Sequence, residues 1–336
     1  SSSFTTSKLN STTYIIQEHD AYSENPFIYV KLHPKLPIII LSDTGCDEPS
    51  SQHKHAQYTH LRDYIENFPL PSNNHQPLNP GSKLKYCIIC THCHYDHIGG
   101  ISQFLAGGTT QIIASAAGRD FIEDDEDGKH SLFKFLSPAK PAPFYYVTKW
   151  AQAFEKLYFE IRDRERDIVL RFDVGVTFVQ QPGHTPDSLA WYDREEMWLY
   201  VGDSLYAAGA EGTGGASIVF PPDGNLIEWV VSLRKLLVLV RSENAKADKR
   251  EKSVEEGWEV ISRRVKLAAG HVTSAADAEE MIQKTDQFFY QILQKKIPVV
   301  RKGYHWNDAY YTWSKEGWDL SMRAPPRLMD QARDFF

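Results

Sequence analysis

Thr91-His-Cys-His-Tyr-Asp-His-Ile-Gly-Gly100 (THCHYDHIGG) sets three imidazoles and a carboxylate within six residues, His92 to His97. It follows directly on Leu84–Cys90, an apolar run that reads as a buried strand. Imidazole and carboxylate are the usual ligands of zinc and similar divalent ions. In a loop that turns sharply, His92 and His94 can face one ion. Asp96 and His97, displaced past the turn, can face a second. Gly99 and Gly100 let the chain turn tightly into the next element. The pattern is rare on composition alone, so scattered surface histidines are the weaker reading.

One loop cannot fill a metal's coordination shell, and the chain offers further ligand types at strand ends. The strand expected at Val176–Gln180 runs into Gln181-Pro-Gly-His184. That at Trp198–Val201 runs into Gly202-Asp203. That at Arg264–Ala269 runs into Gly270-His271. Sites in α/β proteins collect at such ends. A single His or Asp after Gly is more often a turn residue, but together with the first motif the set points to metal.

His92-x-His94-x-Asp96-His97, followed in order by His184, Asp203 and His271, resembles the ligand set of the metallo-β-lactamase superfamily. The resemblance covers roughly Tyr14 to Lys296. It implies an α/β fold built as a four-layer αββα sandwich, with two sheets packed together and helices outside. It also implies two divalent metal ions, most simply Zn(2+), with Fe and Mn equally compatible with these donors. His92, His94 and His184 would hold the first ion, Asp96, His97 and His271 the second, and Asp203 both. Asp43, at the end of the apolar run Pro37–Ser42, resembles the family's supporting Asp-x-Gly and would orient ligands rather than bind.

The activity implied is hydrolysis, by attack on a carbonyl carbon of a hydroxide bridging the two metals. Asp96 would shuttle the proton to the leaving group. Tyr206, in Asp203-Ser-Leu-Tyr206, resembles the Asp-x-x-Tyr of family lactonases and would polarise the carbonyl; a packed aromatic is the bland reading. Gly183-His184-Thr185-Pro186-Asp187-Ser188 is closer to the lactamase pattern than to that of glyoxalase II. The antibiotic lactamases, however, generally carry Cys where Asp203 stands. The expected substrate is therefore a small lactam or lactone, xenobiotic or plant-derived compounds included. The alternatives are a glyoxalase II-like thioester hydrolase and a mononuclear iron persulfide dioxygenase, which would need fewer ligands.

The rest of the chain sets limits. Its 336 residues are 42% hydrophobic and 24% charged, which excludes wholesale disorder. Net charge is -7, which disfavours nucleic acid. No apolar stretch approaches the roughly 20 residues of a membrane span. The expected partner is a small molecule, in a cytoplasmic protein, with homodimerisation left open. Residues 1–13 read as a disordered tail and 14–300 as the catalytic domain, with an aromatic-rich helical insertion at about 120–167. Residues 301–336 read as an aromatic extension packed on it. Helices are expected at Ala56–Phe68, Lys149–Glu160, Leu226–Arg241 and Ala275–Lys296, with a surface linker or helix end at Ser242–Glu256. The glycine-rich stretch from Glu211 to Gly215 reads as a lid loop, since it lacks the Lys of a phosphate loop. Aromatic residues concentrate in Phe133–Phe159 and Tyr304–Trp318, where they would roof the site, form a dimer interface or pack in a core. Cys87-x2-Cys90-x2-Cys93 mimics a zinc knuckle. Odd spacing along a strand sends Cys87 and Cys90 to opposite faces, so buried thiols are expected. His53, His55 and His60 read as a surface loop.

Overall fold

Side chains alternate along a strand, and here the alternation sorts apolar residues into separate layers. The computed structural model describes residues 1–336 except 137–139, 164, 208–215 and 252–262. The first sheet runs in chain order through β1 (Phe4–Lys8), β2 (Thr13–Glu18), β3 (Phe27–Leu32), β4 (Ile38–Ser42), β5 (Lys85–Ile89), β6 (Thr109–Ser115) and β7 (Lys149–Ala151). The strands from β4 to β7 are parallel and the earlier ones antiparallel. The second sheet contains β8 (Lys156–Asp163), β9 (Ile168–Gln180), β10 (Leu189–Asp193) and β11 (Trp198–Tyr200). After β12 (Ile218–Val219) has left for a third sheet, β13 (Lys266–Ala268) and β14 (Ala276–Asp277) complete the second.

Ile38, Ile40, Cys87 and Ile89 point between these two sheets, against Val176, Phe178, Trp191 and Tyr200. Trp191 stacks on Tyr200 with ring centres 3.8 Å apart, and its indole N–H donates to Ser42 Oγ across the gap at 3.0 Å. The intervening residues Ile39, Leu41, Tyr86 and Ile88 face outward onto α1 (Leu61–Asn67). Two short helices follow, α2 (Tyr95–Ile98) and α3 (Arg119–Glu123). The outer face of the second sheet is covered by α4 (Leu226–Glu251) and α5 (Ala278–Leu293) through Trp229, Val230, Leu233, Phe288 and Phe289. Helix, sheet, sheet, helix is the expected αββα order.

The last residues build the third sheet, ordered β12, β17 (Ser321–Ala324), β16 (Asp308–Ser314), β15 (Val299–His305), and end in α6 (Pro326–Phe335). Trp313, Leu320, Met322, Leu328 and Met329 join the core beneath α4 and α5. β15 and β16 form a hairpin whose two-residue turn is Trp306-Asn307, with φ of 46° and 60°. Positive φ at both central residues is the mark of a type I′ turn.

Several expectations need correction. The segment expected as a disordered tail, residues 1–13, forms β1, which pairs along its whole length with β2. Phe4 is buried against Tyr64 with rings 5.0 Å apart, so burial outweighs a Ser/Thr-rich composition. The helix expected over Lys149–Glu160 is instead β7, a turn at Phe154 with φ of 59°, and β8. Pairing with β6 and β9 overrides local helix preference there. Among the described residues of 120–167, helix is confined to α3 and one 3-10 turn, Phe133–Phe135. From Ser242 the chain stays helical as far as Glu251, the last described residue of α4, which is the helix-end alternative and not a linker. The lid expected at Glu211 to Gly215 lies outside the described residues.

A buried ion pair joins the sheets at the end away from the histidines. Lys31 Nζ lies 2.6 Å from Asp193 Oδ2, with both side chains fully buried. Lys31 also donates to Thr12 Oγ1, and Asp193 Oδ1 accepts the N–H groups of Glu195 and Glu196. Removing one partner strands the other charge. Asp193→Ala is expected to cost about 3–5 kcal/mol, read as a lowered urea midpoint. A loss near 1 kcal/mol would show the pair to be solvated like a surface bridge.

Candidate metal centre

The carboxyl ends of β5, β9, β11 and β13 meet at one edge of the sandwich, and each delivers a ligand-type residue. After β5 the chain passes through His92 and His94, the latter the N-cap of α2, which carries Asp96 and His97. His184 follows β9, Asp203 follows β11 and His271 follows β13. All seven side chains are buried. They form two groups, His92/His94/His184 and Asp96/His97/Asp203/His271. Within each group one ligand atom per residue lies within 4.8 Å of the others. The groups adjoin, the His92 and His97 rings being 4.0 Å apart.

Close approach demands glycine at two of these strand ends. A Cβ on Gly270 would sit 2.3 Å from Asp203 Oδ1 and 2.7 Å from His97 Cε1, inside the cluster itself. Gly202 has φ of +51°, and a Cβ there would meet Thr91 Oγ1 at 2.7 Å.

Each histidine of the cluster except His94 is aimed by a hydrogen bond from its outer nitrogen. His184 Nδ1 donates to the Val219 carbonyl at 2.8 Å and His271 Nδ1 to the Glu24 carbonyl at 3.0 Å. His97 Nδ1 donates to Asp43 Oδ2 at 2.9 Å. Thr91 Oγ1 donates to the same Asp43 oxygen and so accepts from His92 Nδ1. Carbonyls and carboxylates only accept, so Nδ1 carries a proton and Nε2 is turned inward. His94 is reversed: its Nδ1 lies 2.9 Å from His92 Nε2 and 3.2 Å from His184 Nε2. Asp43 is thus the support its sequence position suggested. It holds φ of 63°, unusual for a non-glycine, and accepts the Thr91 N–H at 2.7 Å as well.

Electrostatics divide the groups. Burial and the neighbouring imidazoles hold His92 and His94 well below the ordinary histidine range, and burial lowers His184 too. These three are neutral, the form that binds metal. Burial also works against charge on His97 and His271, but Asp96 and Asp203 outweigh it and raise both. Conversely, burial works against charge on Asp96 and Asp203, but His97 and His271 hold both carboxylates ionised. His97 Nε2 and Asp203 Oδ1 lie buried 3.4 Å from each other. Imidazole and carboxylate donors converging on a space that admits no Cβ are what a divalent cation would satisfy, so both groups are able to bind metal ions.

A cavity of about 590 Å³ opens over the cluster. His94, Asp96, His184, Asp203 and His271 form its floor and Tyr206 part of its wall. Tyr206 is buried, its ring 6.0 Å from that of His271, and burial and Asp203 hold its hydroxyl protonated. The roof comes from the carboxyl-terminal sheet, through His305, Trp306 and Arg323. Of the two aromatic stretches in the sequence, the later one therefore reaches the site. Tyr145, Tyr146 and Trp150 of the earlier stretch line a separate pocket behind Cys93.

Sequence reasoning missed Glu24 and Arg323, which also line the cavity. An acid between Ser23 and Asn25, and an arginine in Ser-Met-Arg-Ala, carry no local signal. The knuckle-like cysteines behave as buried thiols: Cys87 faces the second sheet, Cys90 and Cys93 face the outer core, and burial raises all three. His53, His55 and His60 lie in the loop before α1, apart from both groups.

The sequence profile of the metallo-beta-lactamase superfamily matches residues 80–244. A protein of Aspergillus versicolor named "Putative transcription factor avaE" is 27% identical over 335 residues, covering 98% of this chain and 89% of its own. Acyl-coenzyme A thioesterase MBLAC2 of Gallus gallus is 24% identical over 165 residues, which are 45% of this chain and 50% of the thioesterase. The crystal structure of a metallo-beta-lactamase family protein from Thermus thermophilus superposes with a TM-score of 0.54 at 15% identity, covering 88% of this chain and 85% of that one. At that identity the likeness concerns the fold. Among the described residues no helix is long and apolar enough to cross a membrane.

Asp43 does not line the cavity over the cluster, so its loss isolates ligand orientation. Asp43→Ala is expected to weaken metal binding by about 10–100-fold, measured by competition with a chromogenic chelator. Unchanged affinity would show that His97 is held without it.

Proposed function

The chain belongs to the metallo-β-lactamase superfamily, and we propose that it is a dinuclear metal-dependent hydrolase that opens a small cyclic ester or amide. The observation that carries this reading is the pair of adjoining donor groups, the His92 and His97 rings 4.0 Å apart, beneath one small-molecule-sized cavity. His92, His94 and His184 would hold one ion, Asp96, His97 and His271 the other, with Asp203 between them. Zinc suits the donors, as do iron and manganese. Bound there, such ions supply Lewis acidity and bring the pKa of water toward neutrality.

The chain's own residues do the remainder. Asp96 turns Oδ2 toward His97 and His271, which leaves Oδ1 to take a proton and pass it to the departing atom. Tyr206 can donate its hydroxyl to the carbonyl oxygen from the cavity wall. Trp306 and Leu132 add apolar surface to the cavity wall.

Thioester hydrolysis is the second reading, favoured by the likeness to a protein named as an acyl-coenzyme A thioesterase. A complete donor set argues for a catalyst, and the net charge of -7 argues for a small-molecule partner over nucleic acid.

A panel of lactones, lactams and thioesters, run beside metal analysis, tests both. Turnover of a cyclic ester or amide is expected, and His94→Ala or Asp203→Ala should abolish it with circular dichroism unchanged. Tyr206→Phe should slow it by about 10–1000-fold, as loss of one oxyanion donor does. Turnover of thioesters alone would replace the substrate class. One iron per chain with oxygen consumption would overturn hydrolysis.

A further inference from the structure

We infer that Arg323, framed by Trp306, is an anion subsite, and that the substrate carries a carboxylate or phosphate at a distance from its hydrolysable bond. The inference rests on the hydrolase reading for what happens at the metal centre, but Arg323 stands on its own geometry. β17 lies parallel to β12 with Arg323 opposite Val219, the residue whose carbonyl aims His184. The Arg323 carbonyl accepts the Phe220 N–H at 2.9 Å, which pins the strand on the other side. Arg323 is therefore about one strand spacing, 4.8 Å, from a residue that orients the cluster.

Among the described residues the charge of Arg323 has no partner of its own. It is the one Lys or Arg among the described residues that line this cavity, whose carboxyl groups are those of Glu24, Asp96 and Asp203 and whose imidazoles are those of His94, His184, His271 and His305. No carboxylate among the described residues pairs with it. Its guanidinium instead lies over the Tyr310 ring, 5.2 Å from the centre. Tyr310 is fixed in turn by donating to the Phe220 carbonyl at 3.0 Å. Nearby Arg327, outside the cavity, shows the usual solution: its Nε lies 3.1 Å from Asp308. A guanidinium braced by a ring keeps its forked donors available, and carboxylate and phosphate are the groups that match that fork.

Trp306 adds a second, independent sign. It occupies the first central position of a type I′ turn at φ of 46°, a conformation that suits Gly, Asn or Asp and strains a bulky side chain. The strain places an indole on the cavity wall, beside His305 at 4.2 Å between rings and Tyr310 at 5.9 Å. Strained residues that persist at a cavity wall belong with ligand contacts. The bound molecule would set its anionic group on Arg323, lay its body against Trp306 and present its acyl carbon to the floor.

Two measurements on the full chain test this. Calorimetric titration with benzoate, phenyl phosphate and neutral benzamide reads binding without turnover. Arg323→Gln is expected to weaken benzoate or phenyl phosphate about 10–100-fold and leave benzamide unchanged, with Arg323→Lys intermediate and the thermal midpoint of both close to wild type. Whichever of benzoate and phenyl phosphate binds tighter identifies the anion. With any substrate that turns over, a matched acid and methyl ester should separate: Arg323→Gln raises KM for the acid by a similar factor, leaves kcat within a few-fold and spares the ester. Equal affinity of wild type and Arg323→Gln for both anions, or equal loss on acid and ester, would overturn the subsite. The first result with normal turnover would leave the hydrolase reading standing. Anion binding that depends on Arg323 in a protein inert toward the whole panel would uphold the subsite and sink the hydrolase reading alone.

Discussion

Five imidazoles and two carboxylates share one buried volume, where polar groups cost free energy unless each finds a partner. Most of what surrounds the site serves to hold that arrangement. Asp43 accepts an unusual backbone angle so that one carboxylate can serve the Thr91 backbone, the Thr91 hydroxyl and His97 together. Val219 and Glu24 give up backbone carbonyls to fix His184 and His271. Gly270 gives up a side chain so that Asp203 and His97 can close on each other.

The sandwich supplies the rigidity for this. Strands β4 and β5 run parallel, so Asp43 and Cys90 leave the first sheet side by side, and β11 and β13 do the same for Asp203 and His271 in the second. The Phe27 N–H donates to the Gly270 carbonyl, stitching the edges of the sheets together next to the cluster. The carboxyl-terminal sheet then reaches over the open side through β12, which pairs with β17 and aims His184 with the same strand. Floor and roof are thus coupled through Val219.

Where burial is regular, the sequence was easily read. The continuous apolar runs of β4 and β5, both faces covered, could only be central strands, and the long amphipathic stretches of α4 and α5 could only lie on a sheet. Reading failed where a neighbour decided the conformation. Residues 4–8 carry no strand signal of their own and are held by β2 and by Tyr64. Lys149–Glu160 mixes helix-forming residues with aromatics, and only β6 and β9 reveal which preference prevails.

The same division runs through the site. His92, His94, Asp96, His97, His184, Asp203, His271 and Asp43 were legible because metal chemistry needs those side chains and strand-end turns need glycine beside them. Those are local demands, written as short motifs. The cavity above them was not legible. Glu24 and Arg323 come from segments far apart in the chain, and nothing in their own neighbourhoods sets them apart; Trp306 stood out only as one of the aromatic stretch Tyr304–Trp318. Donor identity is fixed by which side chains the sequence provides. The space those donors open into, and the charge facing them across it, depend on distant pairings such as β12 with β17, which exist only once the chain is folded.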